Sequence, residues 1–122
     1  MMDQRILVVD DAKLARKMLR RALNDGGLDN IDEAVTAMEA MEKFKTLMPD
    51  LVLLDITLPD SFDLTLLENL LKEKPDANII MVSAIGQDLI IQDAIELGAK
   101  AFITKPFEEK ELLKTVFKVL EA

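Results

Sequence analysis

The chain has 122 residues, half of them apolar and 31% charged, with a formal net charge of -8 and neither cysteine nor histidine. That length suits one domain with an ordinary core, and the composition excludes a disordered chain. The absent residues exclude disulfides, zinc centres and Ser-His or Cys-His nucleophiles, and the acidic balance argues against nucleic acid as a partner, because phosphate backbones call for a basic face. No apolar run is long enough to cross a bilayer, so no membrane insertion is expected. Met1-Met2-Asp3-Gln4-Arg5 leads straight towards a strand instead of a signal sequence. A cytoplasmic protein is expected.

In chain order, strands and helices alternate. Ile6-Leu7-Val8-Val9 is a short apolar run that ends in Asp10-Asp11. Ala15, Met18, Leu19, Ala22 and Leu23 then recur at the spacing of a helix packed on a core, and Gly26-Gly27 stops it. A weak strand over residues 30–34 precedes Thr36, which with Glu39 reads as a capping box. Ala37, Ala40, Met41, Phe44 and Leu47 give this helix its buried stripe before Pro49. The central run Leu51-Val52-Leu53-Leu54, bounded by Pro49 and Pro59, has the continuous apolar character of a parallel strand covered on both faces, and Asp55 stands at its end. Leu64, Leu67, Leu70 and Leu71 mark a third helix, and Ile79-Ile80-Met81-Val82 a fourth strand ending at Ser83. Ile91, Ala94 and Ile95 line a fourth helix that Gly98 terminates. Ala101-Phe102-Ile103 is the fifth strand, followed by Thr104-Lys105-Pro106. Leu112, Leu113, Val116, Phe117 and Leu120 define the last helix, with Glu108 and Glu109 placed against its N-terminal dipole.

Five such units with short connections give a doubly wound, five-stranded parallel sheet between helical layers, a three-layer α/β/α architecture over residues 1–122 as a single domain. In such sheets ligands bind beyond the carboxyl ends of the strands, near the switch in strand order. Asp10-Asp11, Asp55, Ser83 and Lys105 stand at the ends of strands one, three, four and five. If those strands are adjacent, three carboxylates, a hydroxyl and an ammonium share one pocket. Such carboxylates need a cation, and oxygen-only donors favour magnesium. The pocket suits phosphoryl transfer, with a carboxylate able to act as the nucleophile.

Asp10-Asp11, the Leu-Leu-Asp55-Ile-Thr-Leu-Pro run, Val82-Ser83-Ala84 and Lys105-Pro106-Phe107, in this order and spacing, resemble the receiver domain of two-component response regulators. The resemblance implies that Asp55 accepts phosphate from a histidine kinase's phosphohistidine or from a phosphotransfer protein. It implies magnesium held by Asp10, Asp11, Asp55 and the main-chain carbonyl of Thr57. Ser83 would hydrogen-bond a phosphoryl oxygen, Lys105 would pair with the phosphate, and the Lys105-Pro106 peptide would be cis. Thr57 and Ile85 would tune the phosphate's lifetime, and Ser83 with Phe102 would form the switch that presents the fourth helix, fifth strand and fifth helix to a downstream protein target. Ser83-Ala84-Ile85-Gly86-Gln87 is most similar to stand-alone chemotaxis-type regulators, with no effector domain, whose only chemistry is their own phosphotransfer and dephosphorylation. A phosphorelay intermediate, or a receiver excised from a longer regulator, is the alternative.

Each residue also has an ordinary use. Asp11 can cap the first helix, an isolated Ser83 or Lys105 is common on surfaces, and Met38, Met41 and Met48 read as core or rim fillers. Lys13, Arg16, Lys17, Arg20 and Arg21 on the first helix either steer an acidic donor or form a solvated face. Two positions depart from the family. Asp60-Ser61-Phe62-Asp63 lacks the usual glycine, so that loop is expected to take another path or to be mobile, and Ala37 stands where glycine is common. A flavodoxin-like electron carrier shares the architecture, but Asp10-Asp11-Ala12-Lys13 would repel the phosphate such a carrier binds after its first strand. A haloacid-dehalogenase-type phosphatase expects a second aspartate where this chain has Thr57.

Overall fold

The computed structural model describes residues 4–122. In chain order it contains β1 (Ile6–Val9), α1 (Lys13–Asp25), β2 (Ile31–Ala34), α2 (Ala37–Leu47), β3 (Leu51–Leu54), α3 (Thr65–Glu73), β4 (Ile79–Ser83), α4 (Asp88–Leu97), β5 (Ala101–Thr104) and α5 (Glu109–Glu121). The strands form one parallel sheet in the order β2-β1-β3-β4-β5. β1, β3 and β4 are buried throughout, which is why their sequences are continuously apolar instead of alternating. β2 and β5 lie at the edges and are only partly covered.

Alternation along the strands divides the core in two. Leu7, Val9, Val52, Leu54, Ile79 and Met81 pack with Phe44 of α2, Leu67 and Leu70 of α3 and Ala94 of α4. Ile6, Val8, Leu51, Leu53, Ile80 and Val82 face the other way, onto Leu19 and Leu23 of α1 and Leu112 and Val116 of α5. The chain leaves β1 outward to β2 and returns to β3 on the other side, so the reversal in strand order falls between β1 and β3. Asp10 and Asp55 stand on either side of that point.

Three helix readings need correction. The helical period overestimates two buried stripes: Met18 is 46% exposed and Ile95 44% exposed. On α1 only Leu19, Ala22 and Leu23 are buried, and on α4 only Ala94, because each helix meets the sheet along a face narrower than its apolar sequence. The methionines read as core or rim fillers divide between the two, with Met38 and Met48 exposed and Met41 packed against the core. Asp11 does not cap α1: Ala12 is the N-cap residue, and the carboxylate of Asp10 accepts the Ala12 N–H at 2.9 Å.

The loop without glycine closes tightly. Leu58 and Ser61 exchange backbone hydrogen bonds of 2.8 and 3.2 Å around Pro59 and Asp60. Among the described non-glycine residues only Met48 has positive φ, so the turn needs none. Asp60 then accepts from the N–H groups of Ala37 and Met38 at 2.7 and 3.1 Å, alongside the Thr36 hydroxyl, which accepts from Glu39 N–H at 3.0 Å. Two loops thus satisfy the orphan donors at the start of α2. The Ala37 and Met38 N–H groups hold the exposed Asp60 carboxyl below its ordinary range. A lowered folded pKa makes its contribution to stability full above the unfolded value, about 3.9, and lost as pH falls through the lowered one. The stability difference between the parent and Asp60→Asn should therefore be largest above about pH 5 and shrink in acid, as thermal melts across pH would show.

Candidate functional site

The parallel sheet brings the ends of β1, β3, β4 and β5 to one edge, and register sets the spacing. Val9 pairs with Leu54, and the Asp55 N–H donates to the Val9 carbonyl at 3.0 Å, so Asp10 and Asp55 follow on neighbouring strands. Ser83 is the last residue of β4 and pairs with Thr104, and the Lys105 N–H donates to the Ser83 carbonyl at 3.0 Å. The Lys105-Pro106 peptide is cis.

Lys105 Nζ lies 2.5 Å from Asp10 Oδ2 and 3.1 Å from Asp55 Oδ2. Both carboxylates are buried, Asp10 at 1% and Asp55 at 8% exposure, whereas Asp11 is exposed. Burial would lower the lysine's pKa, but the Asp10 hydrogen bond and the charges of Asp55 and Asp10 outweigh it and hold Lys105 above its ordinary value. The ammonium is therefore fully charged at neutral pH. Asp55 Oδ1 accepts the Thr57 N–H at 3.3 Å. Carboxylate oxygens of Asp10, Asp11 and Asp55 lie within 4.8 Å of one another. Three hard oxygen donors around one point, with a single lysine against them, fit magnesium and do not suit a soft metal.

The other expected site residues sit close by with separate partners. Ser83 is fully buried, and its hydroxyl accepts the Ile85 N–H at 3.2 Å. It makes no hydrogen bond to Asp55 here, and its own proton has no acceptor among the described side-chain bonds. Ile85 and Thr57 are exposed at the rim. Phe102 is half-buried and packs against the core half that α2, α3 and α4 cover, as does Ile90 of α4. Beside the acidic group, Ala15 and Met18 of α1 with Ala84, Lys105, Pro106 and Phe107 line an apolar hollow of about 300 Å³.

The reading of the five α1 cations as a steering or a solvated face misses one thing. Arg16 and Arg20 both bind Glu33 on β2, and Arg16 also donates to the main-chain carbonyl of Asp10. Only Lys13, Lys17 and Arg21 stay exposed. A signal was present in the Arg16 and Arg20 spacing, one helical turn apart on a face that the strand order turns towards β2.

Comparison with known proteins agrees with this geometry. The response regulator receiver domain model matches residues 6–117. The chain is 40% identical to the chemotaxis protein CheY of Thermotoga maritima over 97% of this chain and 98% of that one. It is 42% identical to CheY of Bacillus subtilis over 98% and 99%. Among solved structures, the CheX-CheY-BeF3-Mg complex of Borrelia burgdorferi superposes with a TM-score of 0.90 at 35% identity, covering 94% of this chain and 87% of that one. With sequence, fold and strand-end chemistry in agreement over nearly its full length, the chain belongs to the response regulator receiver domain family.

Proposed function

We propose that the protein is a phosphorylation-activated switch in which Asp55 takes a phosphoryl group from a histidine kinase's phosphohistidine or from a phosphotransfer protein. The observation that carries this reading is the placement of Lys105 Nζ between Asp10 and Asp55, at the carboxyl edge of the sheet. A carboxylate oxygen of Asp55 attacks phosphorus, the P–N bond to the donor imidazole breaks, and its electron pair stays on the ring nitrogen. An acyl phosphate on Asp55 results. Asp10, Asp11, Asp55 and the Thr57 main-chain carbonyl would hold magnesium, which when bound would supply the positive charge that three carboxylates and a phosphoryl group together lack. Lys105 trades its Asp55 contact for a phosphoryl oxygen, and Ser83 has a proton to donate to another. The protein acts on no separate substrate: its chemistry is its own phosphotransfer and dephosphorylation.

The surroundings of the pocket support the choice of partners. The apolar hollow beside Lys105 and the exposed Leu14 of α1 offer a donor domain a docking edge next to the acceptor. The near full-length likeness to CheY proteins favours a chemotaxis role, with the face of α4, β5 and α5 controlling a protein target. The Borrelia relative, solved with CheX and magnesium, favours both a protein partner and the metal.

On this reading acetyl phosphate modifies the protein only with magnesium present, and Asp55→Asn abolishes the modification in intact-mass spectrometry; equal modification of the variant removes Asp55 from the role. Ile85 is apolar and exposed at the rim, unable to orient a water. Ile85→Glu should shorten the aspartyl phosphate lifetime by about tenfold, below the span of well-positioned acid-base groups, as decay measured after donor removal would reveal. Phe102 gains burial by turning further towards α4, and tens of Å² at ~25 cal/mol per Å² amount to about 1 kcal/mol, enough to shift a two-state population several-fold. Phosphorylation should then move the amide NMR signals of α4 in the parent but much less in Phe102→Ala.

A further inference from the structure

Glu33 on β2 is gripped from both faces of the sheet. Arg16 Nε donates to its Oε1 at 2.8 Å, and Arg20 holds Oε2 through Nε at 2.9 Å and Nη2 at 2.7 Å. Lys43 of α2 donates to its main-chain carbonyl. Burial opposes the charge of this carboxyl, but the hydrogen bonds and charges of the two arginines prevail and keep its pKa below the ordinary value. Glu33 is a fixed anchor, and Arg16 is the group anchored to it.

What Arg16 does with a second nitrogen matters to the metal site. Nη1 donates to the Asp10 main-chain carbonyl at 2.9 Å. That carbonyl belongs to the peptide joining Asp10 to Asp11, just past the end of β1, and it has no other partner among the described residues. The remaining polar atoms of Asp10 are also tied: its N–H donates to Ala34, Oδ1 accepts from Ala12, and Oδ2 accepts from Lys105. Of these, the Lys105 contact is a side-chain ion pair that a metal cation could replace.

We propose that Arg16 is a positioning residue for the metal: anchored by Glu33, it fixes the Asp10–Asp11 peptide plane and so aims the exposed Asp11 carboxylate. Asp10 can then exchange the Lys105 ammonium for a cation without its main chain moving. The proposal rests on the magnesium site described above. A planar guanidinium spans the Glu33 carboxylate and the Asp10 carbonyl at once, which a lysine ammonium cannot do with the same directionality. Charge alone predicts the opposite effect. Two arginines against one glutamate leave positive charge behind Asp10, so deleting Arg16 would tighten a cation's binding if electrostatics dominated. The sign of the change separates the two roles.

The test is a magnesium chloride titration of the ¹⁵N-labelled parent, Arg16→Lys, Arg16→Met, Glu33→Ala and Asp11→Asn, followed by amide NMR shifts, with thermal melts in metal-free buffer to check folding. Removing outer partners of metal ligands commonly weakens metal binding 10- to 100-fold, so both Arg16 variants and Glu33→Ala should weaken magnesium by roughly tenfold. An unchanged affinity in Arg16→Lys with a lowered melting temperature would mean a structural role only and overturn the proposal. So would tighter binding in Arg16→Met with Arg16→Lys unchanged, which is the charge-only result. A parent that binds no magnesium, or an Asp11→Asn variant that binds as the parent does, fails at the site itself and takes the positioning role with it. Should the Arg16 variants not fold, Arg20→Lys, which loosens one side of Glu33, must show a smaller loss in the same direction, and an unchanged affinity there overturns the role.

Discussion

The ion pair of Lys105 with Asp10 and Asp55 is the interaction on which the rest of the molecule depends. Two nearly dry carboxylates would be strongly unfavourable without a partner, since burying an unpaired charge costs several kcal/mol. One ammonium shared between two carboxylates, together with the N–H groups of Ala12 and Thr57, satisfies the hydrogen bonding of Asp10 and Asp55 but, with Asp11 close by, leaves the group short of positive charge. The pocket is stable as it stands and still favours an added cation.

Holding those charges together falls to the sheet. Parallel strands end on the same edge, and the order β2-β1-β3-β4-β5 makes the four functional strands contiguous, leaving β2 outside the pocket. β2 contributes differently. Through Glu33 it ties α1 to the sheet and, by way of Arg16, reaches the Asp10 carbonyl from behind. The half of the core beneath α4 joins the same site to a surface, since Ser83, Met81 and Phe102 fall on one side of the sheet by strand alternation and register. α4 buries only Ala94 completely. Ile90 packs partly against the same core half, so α4 is held by little apolar area.

The sequence by itself determined the strands, their parallel pairing and the residue types at their ends. A strand buried on both faces must be apolar throughout, and Leu51-Val52-Leu53-Leu54 shows that need without any neighbour in view. The same logic marked Asp55, because a charge at the end of such a run demands a partner. Tertiary structure decided everything that depends on which faces meet. Met18 and Ile95 fit the helical period yet remain exposed, since periodicity gives direction but not the width of the contact. Asp60 could be read only as a missing glycine until the turn at Leu58 and Ser61 carried its carboxylate to the α2 N-terminus, 23 residues away in sequence. Arg16 and Glu33 lie 17 residues apart, and nothing local pairs them. Their bond exists because β2 lies beside β1 at the sheet edge where α1 crosses, and only the folded chain brings that charge to the back of Asp10.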